Sequence, residues 1–105
     1  MCSKFFKFNN FRVNSMYEIS DKLYANVAEE LVVAIGAKEF FSGSVVAMDD
    51  EVECRLVTTL IVSHDEDCRS ITSIVPVWWE CHTTIGGCEV CNDFSFSSVI
   101  DYLIS

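Results

Sequence analysis

The stretch Val52-Glu53-Cys54-Arg55-Leu56-Val57-Thr58-Thr59-Leu60-Ile61-Val62-Ser63 decides the fold. Successive side chains of a strand point to opposite faces. Val52, Cys54, Leu56, Thr58, Leu60 and Val62 therefore share one face, and Glu53, Arg55, Val57, Thr59, Ile61 and Ser63 share the other. One face is apolar and the other mixed, as in an antiparallel strand with a single buried side. Upstream, Phe40 to Met48 is rich in aromatic and β-branched residues, and Asp49-Asp50-Glu51 supplies a polar turn. Downstream, His64-Asp65-Glu66-Asp67 forms a charged loop, and Ser70 to Thr83 alternates again. Strict alternation there places Ile71, Ser73, Val75, Val77, Trp79 and Cys81 on one face. Thr72, Ile74, Pro76, Trp78, Glu80 and His82 fall on the other. Pro76 has no amide proton, so this strand belongs at an edge or carries a bulge. Connections this short join antiparallel neighbours.

Helical periodicity flanks the strands. Ser15-Met16-Tyr17-Glu18 has the form of a capping box. Met16, Ile19, Leu23, Val27, Leu31, Ala34 and Ile35 then recur on one stripe, and Gly36 is a natural stop. The spacing predicts a helix over 15–35. Ile85-Gly86-Gly87-Cys88-Glu89-Val90-Cys91 reads as a loop. Asn92 or Asp93 then caps a closing helix that carries Phe96, Val99, Ile100 and Leu103 on one side. The expected fold is α+β, in the order αβββα. An N-terminal helix, a three-stranded antiparallel meander and a C-terminal helix form two layers, with both helices on the more apolar sheet face. Residues 15–105 make the single domain. Residues 1–14, with Phe5, Phe6, Phe8 and Phe11, form a basic aromatic arm.

Composition narrows the partners. The 105 residues carry a formal charge of −9, are 50% hydrophobic and include 8 Phe, 3 Tyr and 2 Trp. Intrinsic disorder needs few large apolar residues, so that class is excluded. Lys4, Lys7 and Arg12 give residues 1–13 a charge of +3, which leaves −12 on the rest of the chain. So acidic a body is repelled by phosphate backbones, and direct nucleic-acid binding is not expected. The helix–strand–strand–strand–helix order is also that of the double-stranded-RNA-binding domain. That family opens its last helix with a basic cluster. Here the matching stretch is Asn92-Asp93-Phe94-Ser95-Phe96, acidic and apolar, which excludes that function. No apolar run approaches the ~20 residues of a membrane span. The start lacks the continuous apolar run of a signal peptide, so a cytoplasmic location with free thiols is expected.

The strings Ser73-Ile74-Val75-Pro76-Val77-Trp78-Trp79-Glu80-Cys81-His82-Thr83 and Asn92-Asp93-Phe94-Ser95-Phe96 resemble patterns in small uncharacterised bacterial protein families. The resemblance covers most of residues 40–104 and implies a compact bacterial module with no assigned activity.

Four constellations carry chemistry. Cys81, His82, Cys88 and Cys91 are ligand types that suit zinc, and Cys88-Glu89-Val90-Cys91 is one C-x-x-C knuckle. Yet neighbours on a strand face apart, so Cys81 and His82 do not readily share an ion. Cys91 before a helix start also suits thiol redox chemistry. The reading against both makes Cys54 and Cys81 small core residues and the others loop thiols, with no zinc cofactor. Glu80 and His82, two apart on one face, form a carboxylate–imidazole pair without a nucleophile. His64-Asp65-Glu66-Asp67 lacks the glycine and closing glutamate of a calcium loop. Finally, Val57, Ile61, Ile74, Pro76 and Trp78 gather on the sheet face turned away from the helices, where polar residues belong. An apolar patch around a Trp marks a contact surface. The expectation is a non-catalytic protein that forms a homodimer or binds a protein partner through these five residues. The N-terminal arm is the competing cover. The alternative is an acidic nucleic-acid mimic that inhibits a basic partner, which requires Asp49, Asp50, Glu51, Glu53, Asp65, Glu66 and Asp67 to form one stripe.

Overall fold

The computed structural model describes residues 16–104, so the N-terminal arm and Ser15 lie outside the described residues. The element order is α1 (Asp21–Ile35), β1 (Phe40–Asp49), β2 (Val52–His64), β3 (Ile71–Ile85), β4 (Cys88–Val90) and α2 (Phe96–Ile104). The fold is α+β, with four antiparallel strands in the order β1-β2-β3-β4 rather than three. The extra strand comes from the segment read as a loop. Gly86 and Gly87 both have positive φ (59° and 86°), and a two-residue turn of that hand folds the chain back as a hairpin. Thr83, Thr84 and Ile85 thereby pair with Val90, Glu89 and Cys88.

Helix α1 begins at Ser20, not Ser15. The Ser20 Oγ accepts the Leu23 amide at 3.1 Å and donates to the Asp49 carboxylate at 3.1 Å, which joins the helix start to the end of β1. The preceding residues are extended because distant backbone claims them. Tyr17 N–H donates to the Cys91 carbonyl and Asp93 N–H to the Tyr17 carbonyl, in a parallel bridge of Tyr17 with Asn92. The Ile19 amide donates to Asp93 Oδ1 at 2.9 Å. Asp93 is therefore spent on Ile19. Asn92 Oδ1 accepts the Phe94 amide, and the last helix opens only at Phe96, so neither residue caps it.

The apolar stripe of α1 (Leu23, Val27, Leu31 and Ile35) is buried against β1, with Tyr24 and Ala28 beside it. Helix α2 buries Phe96, Val99 and Leu103 between α1 and β3, with Ile100 half-buried. The sheet contributes Cys54, Leu56, Thr58, Leu60 and Val62 from β2, all at most 2% exposed, as the alternation of that strand predicts. Aromatic rings extend this layer. Trp79 meets Phe96 at 5.3 Å between centroids, Phe96 meets Phe94 edge-on at 5.8 Å, and Phe94 meets Tyr24 at 5.8 Å. One chain of rings thus connects β3, α2 and α1, in the tilted geometries that aromatic quadrupoles favour.

Strand β3 departs from strict alternation. Thr59 pairs with Trp78 but Leu60 pairs with Pro76, so Val77 is an extra residue in the ladder. Ser63 pairs with Ser73 but His64 with Ile71, so Thr72 is a second one. Each bulge inverts the facing of the residues beyond it. Between them Ile74 and Pro76 turn to the helix side, opposite Val62 and Leu60, and Ile74 is buried. Val75 turns outward. Pro76 sits beside a bulge on a stretch of β3 that β4 does not reach, as its missing amide requires. Beside the Val77 bulge, Thr58 Oγ1 donates to the Trp78 carbonyl at 2.7 Å from a buried position.

Thr58→Val keeps the shape of that side chain and removes the donor. It should lower unfolding stability by about 0.5–1.5 kcal/mol, because a part-buried hydrogen bond is lost. Urea unfolding checks this through a lower midpoint at unchanged slope.

Candidate association surface

The face away from the helices is laid out by register. Its rows, from one end of the sheet to the other, are Phe40–Ile61–Val75, Ser42–Thr59–Trp78, Ser44–Val57–Glu80, Val46–Arg55–His82 and Met48–Glu53–Thr84. The first three rows hold an apolar cluster: Phe40 is 59% exposed, Val75 53%, Ile61 49% and Trp78 48%, with Val57 half-buried at its border. An open cleft of about 590 Å³ continues the cluster past its end, lined by Glu39, Phe40, Ile61, Val62, Ser63 and His64. Ser42 and Thr59 satisfy each other's hydroxyls across the strands at 3.0 Å.

Of the five residues expected here, Val57, Ile61 and Trp78 lie on this face. Ile74 and Pro76 do not, because the Val77 bulge turns them under the helices. Phe40 and Val75 stand in their place. Phe40 was legible from pairing β1 with β2 through a two-residue turn, since the Asp49–Val52 closing pair sets Phe40 opposite Ile61. Val75 was not legible, since nothing in the residue types alone places the bulge.

The other rows are charged. His82 stands between two carboxylates, with Nδ1 3.2 Å from Glu89 and Nε2 3.5 Å from Glu80. The expected Glu80–His82 pair therefore meets, and β4 adds Glu89 as a third member. The Gly86-Gly87 turn is the signal that would have found it, since a two-residue hairpin brings Glu89 opposite Thr84 and diagonal to His82. The Glu89 hydrogen bond raises the His82 pKa above the usual imidazole value, partial burial opposes it, and Glu80 adds a smaller upward push. All three side chains are about half exposed, so solvent screens the pair strongly.

The four zinc-type residues are not brought together. Cys81 faces the helix side, His82 faces away, and Cys88 is exposed at the start of β4. Cys91 is disulfide-bonded, whereas Cys54, Cys68, Cys81 and Cys88 are free. Among the described residues no group of three or more His, Cys, Asp or Glu side chains is placed to hold a metal ion. His64 turns its Nε2 to the Gly36 carbonyl at 3.0 Å, and Asp65 Oδ1 accepts the amides of Arg69 and Ser70, so this turn spends its ligands on backbone. The seven carboxylates of the mimicry reading split into two groups. Asp49, Asp50, Glu51 and Glu53 cluster at the β1–β2 turn, and Asp65, Glu66 and Asp67 at the β2–β3 turn. The whole of β2 separates them, roughly 40 Å at ~3.3 Å per residue. A single acidic stripe is absent from this set.

Among the described residues, no helix is long and apolar enough to cross a membrane. Comparison with protein-family models, with curated proteins and with solved structures found no match.

The His82 bridge fixes a pH dependence. A raised folded-state pKa means that its stabilisation is complete below the ordinary imidazole value near 6.5 and is lost as pH rises through the raised value. Glu89→Gln removes the largest cause. The His82 midpoint, followed by its ring proton resonances in NMR, should start above 6.5 in the wild type and fall toward it in the variant.

Proposed function

We propose that this chain is a non-catalytic association protein that self-associates through the outer face of its sheet. The observation that supports this reading is the cluster of Phe40, Ile61, Val75 and Trp78, each roughly half exposed on a face that the helices leave bare. Contact surfaces are set apart by a dehydrated aromatic centre inside a polar rim. Trp78 is the anchor here, Phe40, Ile61 and Val75 are its apolar neighbours, and Glu80, His82 and Arg55 form the rim on one side. Because Trp is the commonest residue at the energetic centre of interfaces, truncating it removes most of the affinity. A sheet face is also suited to a second copy of itself, since two such faces stack about 10 Å apart with side chains interdigitated. The same surface would serve a protein partner of another sequence. The divided carboxylates give the mimicry reading no support.

Sedimentation of the full chain tests this. Wild type should sediment as a dimer at tens of micromolar and Trp78→Ser as a folded monomer, with helix and strand signals unchanged by circular dichroism. Monomers for both proteins at high concentration end the self-association reading. A dimer that survives Trp78→Ser moves the interface elsewhere.

A further inference from the structure

Cys54 on β2 and Cys81 on β3 are diagonal neighbours on the helix side of the sheet, because Cys54 pairs with Thr83 and Leu56 with Cys81. Their sulfurs lie 3.4 Å apart, and both thiols are free. Cys54 is fully buried, whereas Cys81 is partly open to solvent. No other described thiol is paired in this way: Cys68 and Cys88 are exposed at opposite ends of β3. We propose that Cys54 and Cys81 form a reversible dithiol–disulfide site, oxidised by low-molecular-weight disulfides and clamping β2 to β3.

Geometry supports closure. A disulfide requires the sulfurs at about 2.0 Å, so from 3.4 Å the two sulfurs have only about 1.4 Å left to close. The contact also couples the two thiols. Either sulfur can donate to the other; the hydrogen bond lowers the pKa of Cys54, and the same bond together with burial raises that of Cys81. The two thiols therefore titrate as a coupled pair, and loss of one proton from the pair supplies the attacking thiolate.

The reaction balances in two steps. Cys81, the sulfur that solvent reaches, attacks a small disulfide RSSR as thiolate, forms a mixed disulfide and releases one RSH after protonation. Cys54 then attacks the Cys81 sulfur, forms the Cys54–Cys81 bond and expels the second RSH. The protein loses two hydrogens with their electrons, and RSSR is reduced to two thiols. The new bond closes the loop from Cys54 to Cys81, which contains the whole β2–β3 tip, the Val77 bulge and Trp78. Cross-linking so long a loop restricts the unfolded chain and raises stability.

The test incubates the full protein with glutathione disulfide and maps its cysteines without reduction. The expected result is a peptide linking Cys54 to Cys81, reversed by dithiothreitol, with a melting temperature raised by roughly 10 °C in the linked form. Cys81→Ser, or Cys81→Ala where the serine variant does not fold, should give neither the link nor the rise. Wild-type protein in which Cys54 and Cys81 both still alkylate fully after incubation overturns the proposal. So does a mixed disulfide on Cys81 that Cys54 never resolves.

Discussion

The extra residue Val77 governs what each side of this sheet presents. Strand β2 alternates without interruption over its whole length, and its helix-facing residues make a flat apolar floor. Strand β3 has to match that floor with a sequence that is out of phase over residues 73–76. The bulge at Val77 shifts the phase, and the one at Thr72 shifts it back. Ile74 is thereby buried, while Val75 joins Trp78 and Ile61 outside. Beside this bulge Thr58 donates its hydroxyl to the Trp78 carbonyl. That explains a hydroxyl in the middle of an otherwise apolar buried row. Both the core and the apolar outer cluster depend on this one local arrangement.

The sequence was most readable where the chain interacts with itself over short range. The β2 faces, the Leu23–Val27–Leu31–Ile35 stripe and the Phe96–Val99–Leu103 stripe all follow from period alone. It was least readable where distant segments compete for the same backbone. Residues 16–20 have helical spacing, yet Tyr17 and Ile19 bond to the 91–93 segment, more than seventy positions away, and the helix waits for Ser20. Asn92 shows the same effect. Its amide reaches the Cys81 carbonyl and Thr83 Oγ1, so a residue with the chemistry of a helix cap is used to fasten a loop to β3. The site was partly legible for a related reason. Residues placed by unbroken alternation (Val57, Ile61) were found where expected, and those beyond a bulge were not.

Gly86-Gly87 carries more than a turn. By reversing the chain in two residues it turns a nominal loop into β4, sets Glu89 against His82 and leaves Cys88 exposed. The same reversal removes the geometric basis for a zinc knuckle, since an antiparallel hairpin sends Cys88 and Cys91 away from each other along a strand. A motif read as ligand spacing is here the spacing of a short edge strand.

Charge decides how so acidic a body can associate at all. Like-charged copies repel, and a surface that placed their carboxylates face to face would not hold them. On the outer face the apolar cluster and the Glu53 row lie at different ends of the strands. Glu53 lies eight residues from Ile61 on β2, roughly 26 Å at ~3.3 Å per residue. Two copies stacked about a two-fold axis through the Phe40–Ile61–Val75 row send their charged rows in opposite directions. The Glu53 carboxylates of such a pair are then separated by several Debye lengths, each about 8 Å at physiological ionic strength, whereas Glu80 of one copy lies toward the Asp65–Asp67 turn of the other. Repulsion between the Glu53 groups is screened at that range, while Glu80 and the nearer turn leave a like-charge term that salt weakens. In the proposed dimer, dehydration of the aromatic cluster is the driving force and like-charge repulsion opposes it, so added salt favours that dimer, the opposite of what an acidic mimic of nucleic acid requires.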